Sequence, residues 1–248
     1  MIPKPDHIFA VYLREMLILR HRLGKHLVTL AISPLLYVVT FGIGIGGGTT
    51  VDGLPYITYL IPGIIAMNSM TQSYNISMEM NISRFYFKTF DEMLCSPVSA
   101  FSYTLGEILY AVTRALIASA VTLAIGAAFG VFLHINIWFI LGIVGNSLVF
   151  AAIAVAASMK IRHHNDQGLI TGFVITPMSF LGGTLFPLDK LPPLFQKILL
   201  LVPLTHASKV VRDAAVGAPV EIWRAALLFA LFLVLLPFAV RAVEGAKE

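Results

Sequence analysis

Long apolar runs without a single charge dominate this sequence. No Asp, Glu, Lys or Arg occurs in residues 27–51, 53–78, 115–159 or 167–188. A helix needs about 20 mostly apolar residues to cross a hydrocarbon core of about 30 Å. Backbone polar groups in lipid must be satisfied within a helix or a closed barrel, and these runs do not alternate as barrel strands do. The pattern therefore predicts an all-α membrane protein.

The spacing of the runs predicts six transmembrane helices in one domain that covers 1–248. The first two lie at about 27–47 and 56–78. The third starts near 108 and the fourth ends near 158, because the polar break at 133–136 supplies a turn between them. The fifth lies at about 169–186, with Pro177 inside it, and the sixth lies at 222–240.

Residues 1–26 carry an amphipathic pattern ahead of the first crossing. Basic and polar residues such as Arg14 and Arg22 lie opposite an apolar stripe that includes Val11 and Leu19. This pattern is typical of a helix that lies in the membrane interface. The alternative is a basic flanking segment that orients the protein and happens to be helical.

Composition and the placement of charge support an inner-membrane location. The chain is 58% hydrophobic and 12% charged, whereas ordinary soluble domains are about 25% charged. With six crossings, eleven Lys and Arg residues lie on the side of the termini and five on the other side, all in the last loop. This bias predicts a multi-pass protein of the cytoplasmic (inner) membrane with both termini in the cytoplasm. A net charge of only +4 does not indicate nucleic acid as a partner.

Residues 188–221 form an unusual last outer segment that is punctuated by prolines. The apolar stretch 198–202 is too short to cross a membrane. The segment could hold short helices that dip partly into the bilayer. It could equally be an ordinary loop with an interfacial apolar patch, and the pattern leaves both open.

No motif in the chain indicates a catalytic centre, a cofactor or a metal. Residues 42–47 match G-x-G-x-x-G, but this motif requires a preceding strand and here it ends a membrane helix. No G-x-x-x-x-G-K-[ST] occurs, so the chain does not bind ATP through a P-loop. The paired histidines have no Cys, Asp or Glu cluster at metal-binding spacing.

The connection 83–99 carries a short candidate docking helix on the cytoplasmic side. Thr89 and Glu92 have the spacing of a capping box, and Pro97 makes continuation difficult. Acidic residues and exposed apolar tips would suit docking to a partner. A helix that packs under its own bundle would give a similar sequence pattern. The residues of this helix are Thr89, Phe90, Asp91, Glu92, Met93, Leu94 and Pro97.

Polar side chains recur on one face of the second crossing, at offsets of 0, 4, 7 and 11 residues. A smaller patch lies on the fifth crossing. Polar groups inside a membrane usually face the bundle interior or a water-filled path. One interpretation of these residues is a substrate path lined by the second and fifth crossings, and the alternative is interhelical hydrogen bonding of about 1 kcal/mol for each bond. We favour the path for the first set and the hydrogen bonding for the second. The residues are Asn68, Gln72, Asn75 and Glu79, and Thr176 and Ser179.

Arg114 is the deepest charge in the predicted bundle. Glu107 lies seven residues earlier on the same face of the third crossing. Pairing with Glu107 or with Glu79 would reduce the cost of burying Arg114. We interpret this group as structural or as part of a gate. It does not suggest a proton relay, because no chain of titratable groups crosses the membrane.

Three passages in order resemble the membrane subunits of type-2 ATP-binding-cassette (ABC) exporters, the ABC-2 type permeases of nodulation-factor, multidrug and polysaccharide export. The first is Y-L-I-P-G at 59–63, which opens the second crossing. The next is F-D-E-M-L-C-S-P-V at 90–98, which looks like the family's coupling helix. The last is F-L-G-G-T-L-F-P-L at 180–188, followed by L-P at 191–192 and P-L-T at 203–205.

The resemblance implies a membrane-spanning export subunit for an amphipathic substrate such as a glycolipid, polysaccharide or drug. It implies an outer re-entrant hairpin before the last crossing, and a homodimer or a pair with a similar permease. Two copies of a separate ATPase subunit would bind ATP and Mg and would receive the helix at 89–97. The residues Val202 and His206 depart from the family's usual pattern near the outer gate.

Three other classes of function remain as alternatives. A secondary transporter would favour internal repeats and buried coupling carboxylates, and the two halves show no evident repeat. A membrane-embedded lipid-modifying enzyme would need convergent catalytic groups near one interface, and none is visible. An assembly factor that transports nothing would have the same sequence pattern.

Overall fold

The computed structural model describes residues 4–51, 53–90, 96–161 and 164–246, which are almost entirely helical. A π-helical turn, Val38–Ile45, extends the helix Pro5–Tyr37. Another π-helical turn, Thr171–Ile175, joins the helices His164–Ile170 and Thr176–Leu181. Thr50–Val51 and Leu54–Pro55 form a minimal antiparallel hairpin, and Leu188–Lys190 forms a 3₁₀ turn. The helices are α1 Pro5–Tyr37, α2 Tyr56–Phe85, α3 Ala100–Ala128, α4 Ile137–Lys160, α5 His164–Ile170, α6 Thr176–Leu181, α7 Pro193–Leu199, α8 Pro203–Ala215 and α9 Ile222–Gly245.

The lengths and composition of the helices confirm an all-α membrane protein. Among the described residues, four segments are long and apolar enough to cross a membrane: Pro5–Ile45, Ala100–Ala128, Ile137–Lys160 and Ile222–Gly245. The pair α7 and α8, bent by 89°, would be a fifth if it counts as one span. The helix α2 is not among them, although its 30 residues are long enough, because its polar residues lower its hydropathy.

The helix α2 lies at the centre of the bundle. It packs against α3, α4 and α8, and Leu60, Ile61, Ile64 and Ile65 are fully buried along it. Since neighbouring helices surround its middle, polar side chains of α2 such as Asn68, Ser69 and Ser73 are buried against protein.

The helix α1 has no end at the predicted boundary between residues 26 and 27. The amphipathic and apolar parts continue as one helix, which reaches Ile45 through the π-helical turn and totals 41 residues. At about 1.5 Å per residue this helix is about 60 Å long, roughly twice the hydrocarbon thickness. About half of it must therefore lie outside the hydrocarbon, although its interfacial position stays a prediction. A Cβ atom on Gly106 of α3 would lie 2.6 Å from the Cβ of Val11, so the N-terminal half of α1 packs closely on α3.

Local capping decides several other boundaries, and two of them, the start of α3 and the end of the segment predicted as the fifth crossing, differ from the predicted positions. The helix α3 begins at Ala100, where the Ser99 hydroxyl accepts a hydrogen bond from the Ser102 amide. The helix α4 begins after the predicted turn, where Asn136 Oδ1 caps the Phe139 amide. The segment predicted as the fifth crossing (α5, the π-helical turn and α6) ends at Leu181 instead of residue 186, because Gly183 takes a positive φ of 70°.

The segment 188–221 is not an ordinary loop. It contains α7 and α8, and α8 buries Leu204, Val210 and Val211 completely. These apolar side chains pack α8 against α2 and α4. The prolines at positions 193 and 203 each stand at the first turn of a helix, where a missing backbone N–H costs nothing.

Candidate functional site

The polar face of α2, defined by Asn68, Gln72, Asn75 and Glu79, is turned toward α3. Asn68 is buried, and its Nδ2 donates to Thr122 Oγ1 at 3.1 Å. Asn75 is partly exposed. Gln72 and Glu79 both bind one side chain of α3. The face thus makes the interhelical hydrogen bonds that were its alternative interpretation, and its role as a substrate path stays a prediction.

Arg114 of α3 is the side chain that joins two positions of this face. Its Nη1 lies 2.5 Å from Glu79 Oε1, and its Nη2 donates to Gln72 Oε1 at 3.1 Å. The Tyr110 hydroxyl donates to the other Glu79 oxygen at 3.4 Å, and the Tyr110 ring lies under the guanidinium. Arg114 is only 4% exposed, so a charge that would be costly alone is paired and hydrogen-bonded.

Glu107 is not the partner of Arg114, although both lie on one face of α3. Seven residues of helix rise by about 10 Å, so a shared face does not bring their side chains into contact. Glu79 comes from the neighbouring helix at the depth of Arg114, and the prediction that one of these two carboxylates would pair with Arg114 is confirmed for Glu79. Glu107 is 3% exposed and lies close to the side chain of Tyr103.

The predicted fifth crossing meets α2 on the side away from the polar face. Gln167 of α5 donates from Nε2 to Ser77 Oγ, and Ser77 lies about 180° around α2 from Asn68. On α6, Thr176 Oγ1 donates to the Thr171 carbonyl at 3.0 Å, and Ser179 Oγ donates to the Thr176 carbonyl at 2.6 Å. The structure therefore does not bring Thr176 and Ser179 together with the polar face within one chain.

The candidate docking helix is anchored at its first turn. Thr89 and Phe90 are helical, and Thr89 Oγ1 is hydrogen-bonded to both the hydroxyl and the carbonyl of Ser83 at the end of α2. Phe90 is 4% exposed and packs edge-on against Tyr103 at 5.6 Å, with the Arg84 guanidinium also 5.6 Å from its ring centre. The prediction of an exposed apolar tip is therefore wrong for Phe90, which fixes the segment to the bundle.

The remainder of the docking helix is described only in part. Asp91, Glu92, Met93 and Leu94 lie outside the described residues. Pro97 is exposed, and the Ser99 cap begins α3 two residues later. The connection from α2 to α3 is thus held at both ends, by Phe90 and by Ser99.

On the opposite end of the bundle, Arg212 of α8 joins two of the passages that carry the family resemblance. Its Nε donates to the Tyr59 carbonyl at 3.2 Å, and its Nη2 donates to the carbonyls of Gly183 at 2.8 Å and Thr184 at 3.2 Å. The guanidinium lies 3.7 Å from the centre of the Tyr59 ring. A Cβ on Gly63 would collide with the Thr184 carbonyl, so α2 and the turn after α6 are in direct backbone contact.

In the sequence, Arg212 stands out only as one of the five Lys and Arg residues in the last outer segment. Its spacing in the sequence could have indicated its role. Arg212 follows Leu204 and Ser208 at intervals of four residues, so the three share one face of α8, and the first two are buried. An arginine at an apolar position of an amphipathic helix indicates a buried hydrogen-bonding role. The signal was missed because the segment could not be assigned to a helix.

Polar contacts also hold the start of α9 against α8. His206 Nε2 donates to the Leu200 carbonyl at 2.8 Å, and its Nδ1 accepts from Arg224 Nη1 at 3.3 Å. Glu221 accepts hydrogen bonds from both Arg224 and Trp223, which lower the pKa of its carboxyl group. His206, which departs from the usual pattern of the resembling family, is therefore a connector between α8 and α9.

A cavity of about 240 Å³ opens at this end, between Tyr59, Asp189, Lys209 and Arg212. Within the described ranges, no group of three or more His, Cys, Asp or Glu residues could hold a metal ion.

The chain matches known membrane proteins over most of its length. The sequence model of the ABC-2 type transporter family matches residues 7–216. Nodulation protein J of Rhizobium meliloti (strain 1021) is 30% identical over 192 residues, which are 75% of this chain and 72% of that protein. Nodulation protein J of Sinorhizobium fredii is 29% identical over 184 residues, 72% and 70% of the two chains. The inner membrane transport permease YadH of Escherichia coli K12 is 28% identical over 183 residues, 73% and 71% of the two chains.

Proposed function

The chain belongs to the ABC-2 type transporter family, and from that premise we propose that it is the membrane-spanning subunit of an ATP-driven exporter. The observation that carries the proposal is the family match over 7–216, which includes α2, the docking helix and α8 in one alignment. The similarity to a transport permease and to nodulation proteins supports a transport subunit that is not itself an enzyme. ATP and Mg would be bound by a separate ATPase subunit present in two copies.

The docking helix at 89–97 would transmit the motion of the ATPase. ATP binding closes the two nucleotide-binding subunits, and each pulls on the helix seated in its groove. Phe90 is fixed against Tyr103 of α3, and Thr89 is fixed to Ser83 of α2. A displacement of the segment would therefore reach both helices at once, because side chains at its first turn bind each of them.

Six crossings and an outer re-entrant hairpin complete the proposed topology. To the four segments that are apolar enough by themselves, the proposal adds α2 and the fifth crossing at 164–181. The pair α7 and α8 would dip into the outer leaflet without crossing it, since the 89° bend sets α8 nearly perpendicular to α7 and leaves no straight span. The excess of Lys and Arg at the other end supports cytoplasmic termini, and the similarity to an inner membrane permease supports the inner membrane.

The path would form between two copies of the chain or between this chain and a similar permease. Apolar side chains of α1 and of the fifth crossing, including Ile32, Leu36 and Phe173, are exposed in the single chain. Tyr37 of α1 contacts Phe180 of α6 edge-on at 6.1 Å, so these two elements form one surface. Thr176 is exposed on that surface. The substrate class would be amphipathic: a glycolipid, a polysaccharide or a drug.

Purification with natural partners tests the proposal most directly. A tagged chain expressed at native level should bring down an ATPase subunit in a 1:1 ratio of chain to ATPase. Reconstituted vesicles that hold the complex should hydrolyse ATP and should respond to candidate amphipathic substrates. Vesicles that hold this chain alone should do neither, and transport or chemical conversion by the lone chain would contradict the proposal.

A further inference from the structure

The end of α2 nearest the docking helix carries an arginine that contacts two other parts of the chain. Arg84 Nη1 donates to the Met159 carbonyl at 2.6 Å, and Met159 belongs to the last turn of α4. The same guanidinium lies over the Phe90 ring, 5.6 Å from its centre, at the first turn of the docking helix. A guanidinium within about 6 Å of the centre of a ring face is attracted by its π-electrons. Arg84 is thus a direct side-chain link between the docking helix and α4.

The contact with Met159 supplies a partner that the backbone of α4 does not provide. The last four carbonyls of a helix have no hydrogen-bond partner inside it, and α4 ends at Lys160. A cation beside these carbonyls is also favoured by the negative end of the helix dipole. Arg84 therefore caps the end of α4 from a neighbouring helix.

The end of α2 also holds the start of the segment predicted as the fifth crossing. Asn81 Nδ2 donates to the Ile161 carbonyl, directly after α4, at 2.9 Å. The next helix, α5, begins at His164, and Gln167 of α5 donates to the Ser77 hydroxyl of α2. Both sides of the short connection between α4 and α5 are therefore bonded to α2.

Another polar tie between α2 and α4 lies far from the docking helix. Asn146 of α4 donates to the Ala66 carbonyl of α2 at 3.0 Å. Met159 follows Asn146 by 13 residues, which is about 20 Å along a helix. Since that tie is distant, the last turn of α4 is positioned by local contacts such as those from Asn81 and Arg84.

We propose that Arg84 is a positioning residue that transmits a displacement of the docking helix to α4 and to the segment predicted as the fifth crossing. The Phe90 ring holds the guanidinium in the orientation in which Nη1 reaches the Met159 carbonyl, so a shift of the ring changes the hold on α4. Without Arg84, the docking helix would move α2 and α3 through Ser83 and Tyr103 and would leave the end of α4 behind. This role deepens the proposed function and rests on it, because the force on the docking helix would come from the ATPase subunit.

Hydrogen exchange of the purified full chain tests the transmission without any ATPase. Phe90→Ala should speed the exchange of the amides at 157–161, the last turn of α4, by about threefold, as expected for the loss of one cation–π contact. The rise should be smaller than that in the 83–99 connection itself. In an Arg84→Met background Phe90→Ala should add nothing at 157–161, since the link is already absent.

Asn81→Ala is the matched control for Arg84→Met. It removes a hydrogen bond to the same end of α4 but leaves Arg84 over the Phe90 ring, so Phe90→Ala should still speed exchange at 157–161 in this background. An effect of Phe90→Ala that persists in Arg84→Met, or its absence from the native background, would overturn the proposal. Loss of the effect in both backgrounds would indicate a general loosening of the turn and would also overturn the role of Arg84.

Phe90→Leu keeps the test decisive if Phe90→Ala does not fold. Leucine retains a buried apolar side chain but has no ring face for the guanidinium of Arg84. Exchange at 157–161 should again rise by about threefold. Unchanged exchange there would contradict the proposal.

The complex purified with its ATPase subunit tests the transmitted motion itself. Mg and a non-hydrolysable ATP analogue should change the exchange at 157–161 in the native complex and in Asn81→Ala, but not in Arg84→Met. Co-purification of the ATPase and the response of the 83–99 connection should be the same in all three. A nucleotide response at 157–161 that survives Arg84→Met would overturn the proposal. Failure of any ATPase subunit to co-purify would count against the proposed function, whereas the exchange of the isolated chain decides the role of Arg84.

Discussion

Arg114 of α3 pairs with Glu79 of α2 at 2.5 Å and not with Glu107 of its own helix. The pair ties two central helices together just above the connection that carries the docking helix. Gln72 binds the same guanidinium at 3.1 Å, so Arg114 spans two turns of α2. Its surroundings favour a structural lock between α2 and α3 over a proton-carrying role.

Replacing Glu79 by Gln should destabilise the chain, because Arg114 would remain buried without its carboxylate. Glu79 is half exposed in its side chain, so water offsets part of the cost, and we expect a loss of about 1–3 kcal/mol. Thermal unfolding in detergent would measure it. The double variant Glu79→Gln with Arg114→Met should recover most of the loss, since both partners of the pair are then neutral. A double variant as unstable as the sum of the single ones would show that the pair is not coupled.

Phe90→Ala should loosen the docking helix from the bundle. The ring is buried against Tyr103, and such a truncation typically costs about 3–5 kcal/mol when a cavity is left. The loss should be local, so hydrogen exchange of the 83–99 connection should rise more than that of α4. Phe87→Ala is the matched control, because Phe87 is 64% exposed. Equal effects of the two substitutions would contradict the anchoring role.

Glu92→Arg together with Leu94→Asp should uncouple transport from ATP hydrolysis. The two changes reverse the charge and remove an apolar contact on the predicted docking helix. Co-purification of the ATPase subunit should fall, and export should fall with it, while the amount of folded permease in the membrane should not. Glu244→Arg serves as the control, because Glu244 is an exposed carboxylate near the end of α9. Unchanged co-purification and unchanged export would remove the docking helix from the mechanism.

Arg212→Ala should destabilise the outer end of the protein. It deletes hydrogen bonds from a charged donor to three carbonyls, and hydrogen bonds to charged groups contribute about 1.5–3 kcal/mol each at most. Lys209→Ala on the same helix removes only a partly exposed pair with Asp213 at 2.9 Å, which is expected to contribute about 0–1 kcal/mol. Unfolding of the two variants in parallel would separate these outcomes. A loss for Arg212→Ala no larger than that for Lys209→Ala would refute the bridging role.

Gly63→Ala should cost stability where Gly24→Ala should not. A Cβ at position 63 meets the Thr184 carbonyl, and overpacking of this kind costs about 1–3 kcal/mol. No heavy atom lies within 4 Å of a Cβ at position 24, and alanine in a helix is favoured over glycine by up to about 1 kcal/mol. The melting temperatures of the two variants should therefore move in opposite directions. Equal shifts would mean that the turn after α6 can move away from α2.

The six predicted crossings illustrate how far hydrophobic pattern reaches. The uncharged runs located α3, α4 and α9 to within several residues. A helix in a bilayer or in a buried core needs apolar side chains, whichever element it packs against. Capping set the ends more finely than the pattern could. The start of α3 depends on a single hydroxyl at Ser99, which is too local to alter a hydropathy average.

The polar residues show the limit of the same reasoning. Helical spacing placed Asn68, Gln72, Asn75 and Glu79 on one face correctly, but it could not say which helix that face would meet. Helical spacing likewise put Glu107 and Arg114 on one face of α3. Whether two side chains touch depends on their distance along the helix axis and on which side chains a neighbouring helix has at the same depth.

By itself, then, the sequence determined that this is a membrane protein, that its fold is all-α and which family it belongs to. Each of these depends on composition and on the order of residues along the chain. Only the tertiary structure decided that Glu79 would neutralise Arg114, that Phe90 would be an anchor and that Arg212 would join α8 to α2 and to the turn after α6. These contacts join residues that are distant in the chain. Their energies come from close distances between helices, which packing sets and one-dimensional periodicity does not contain.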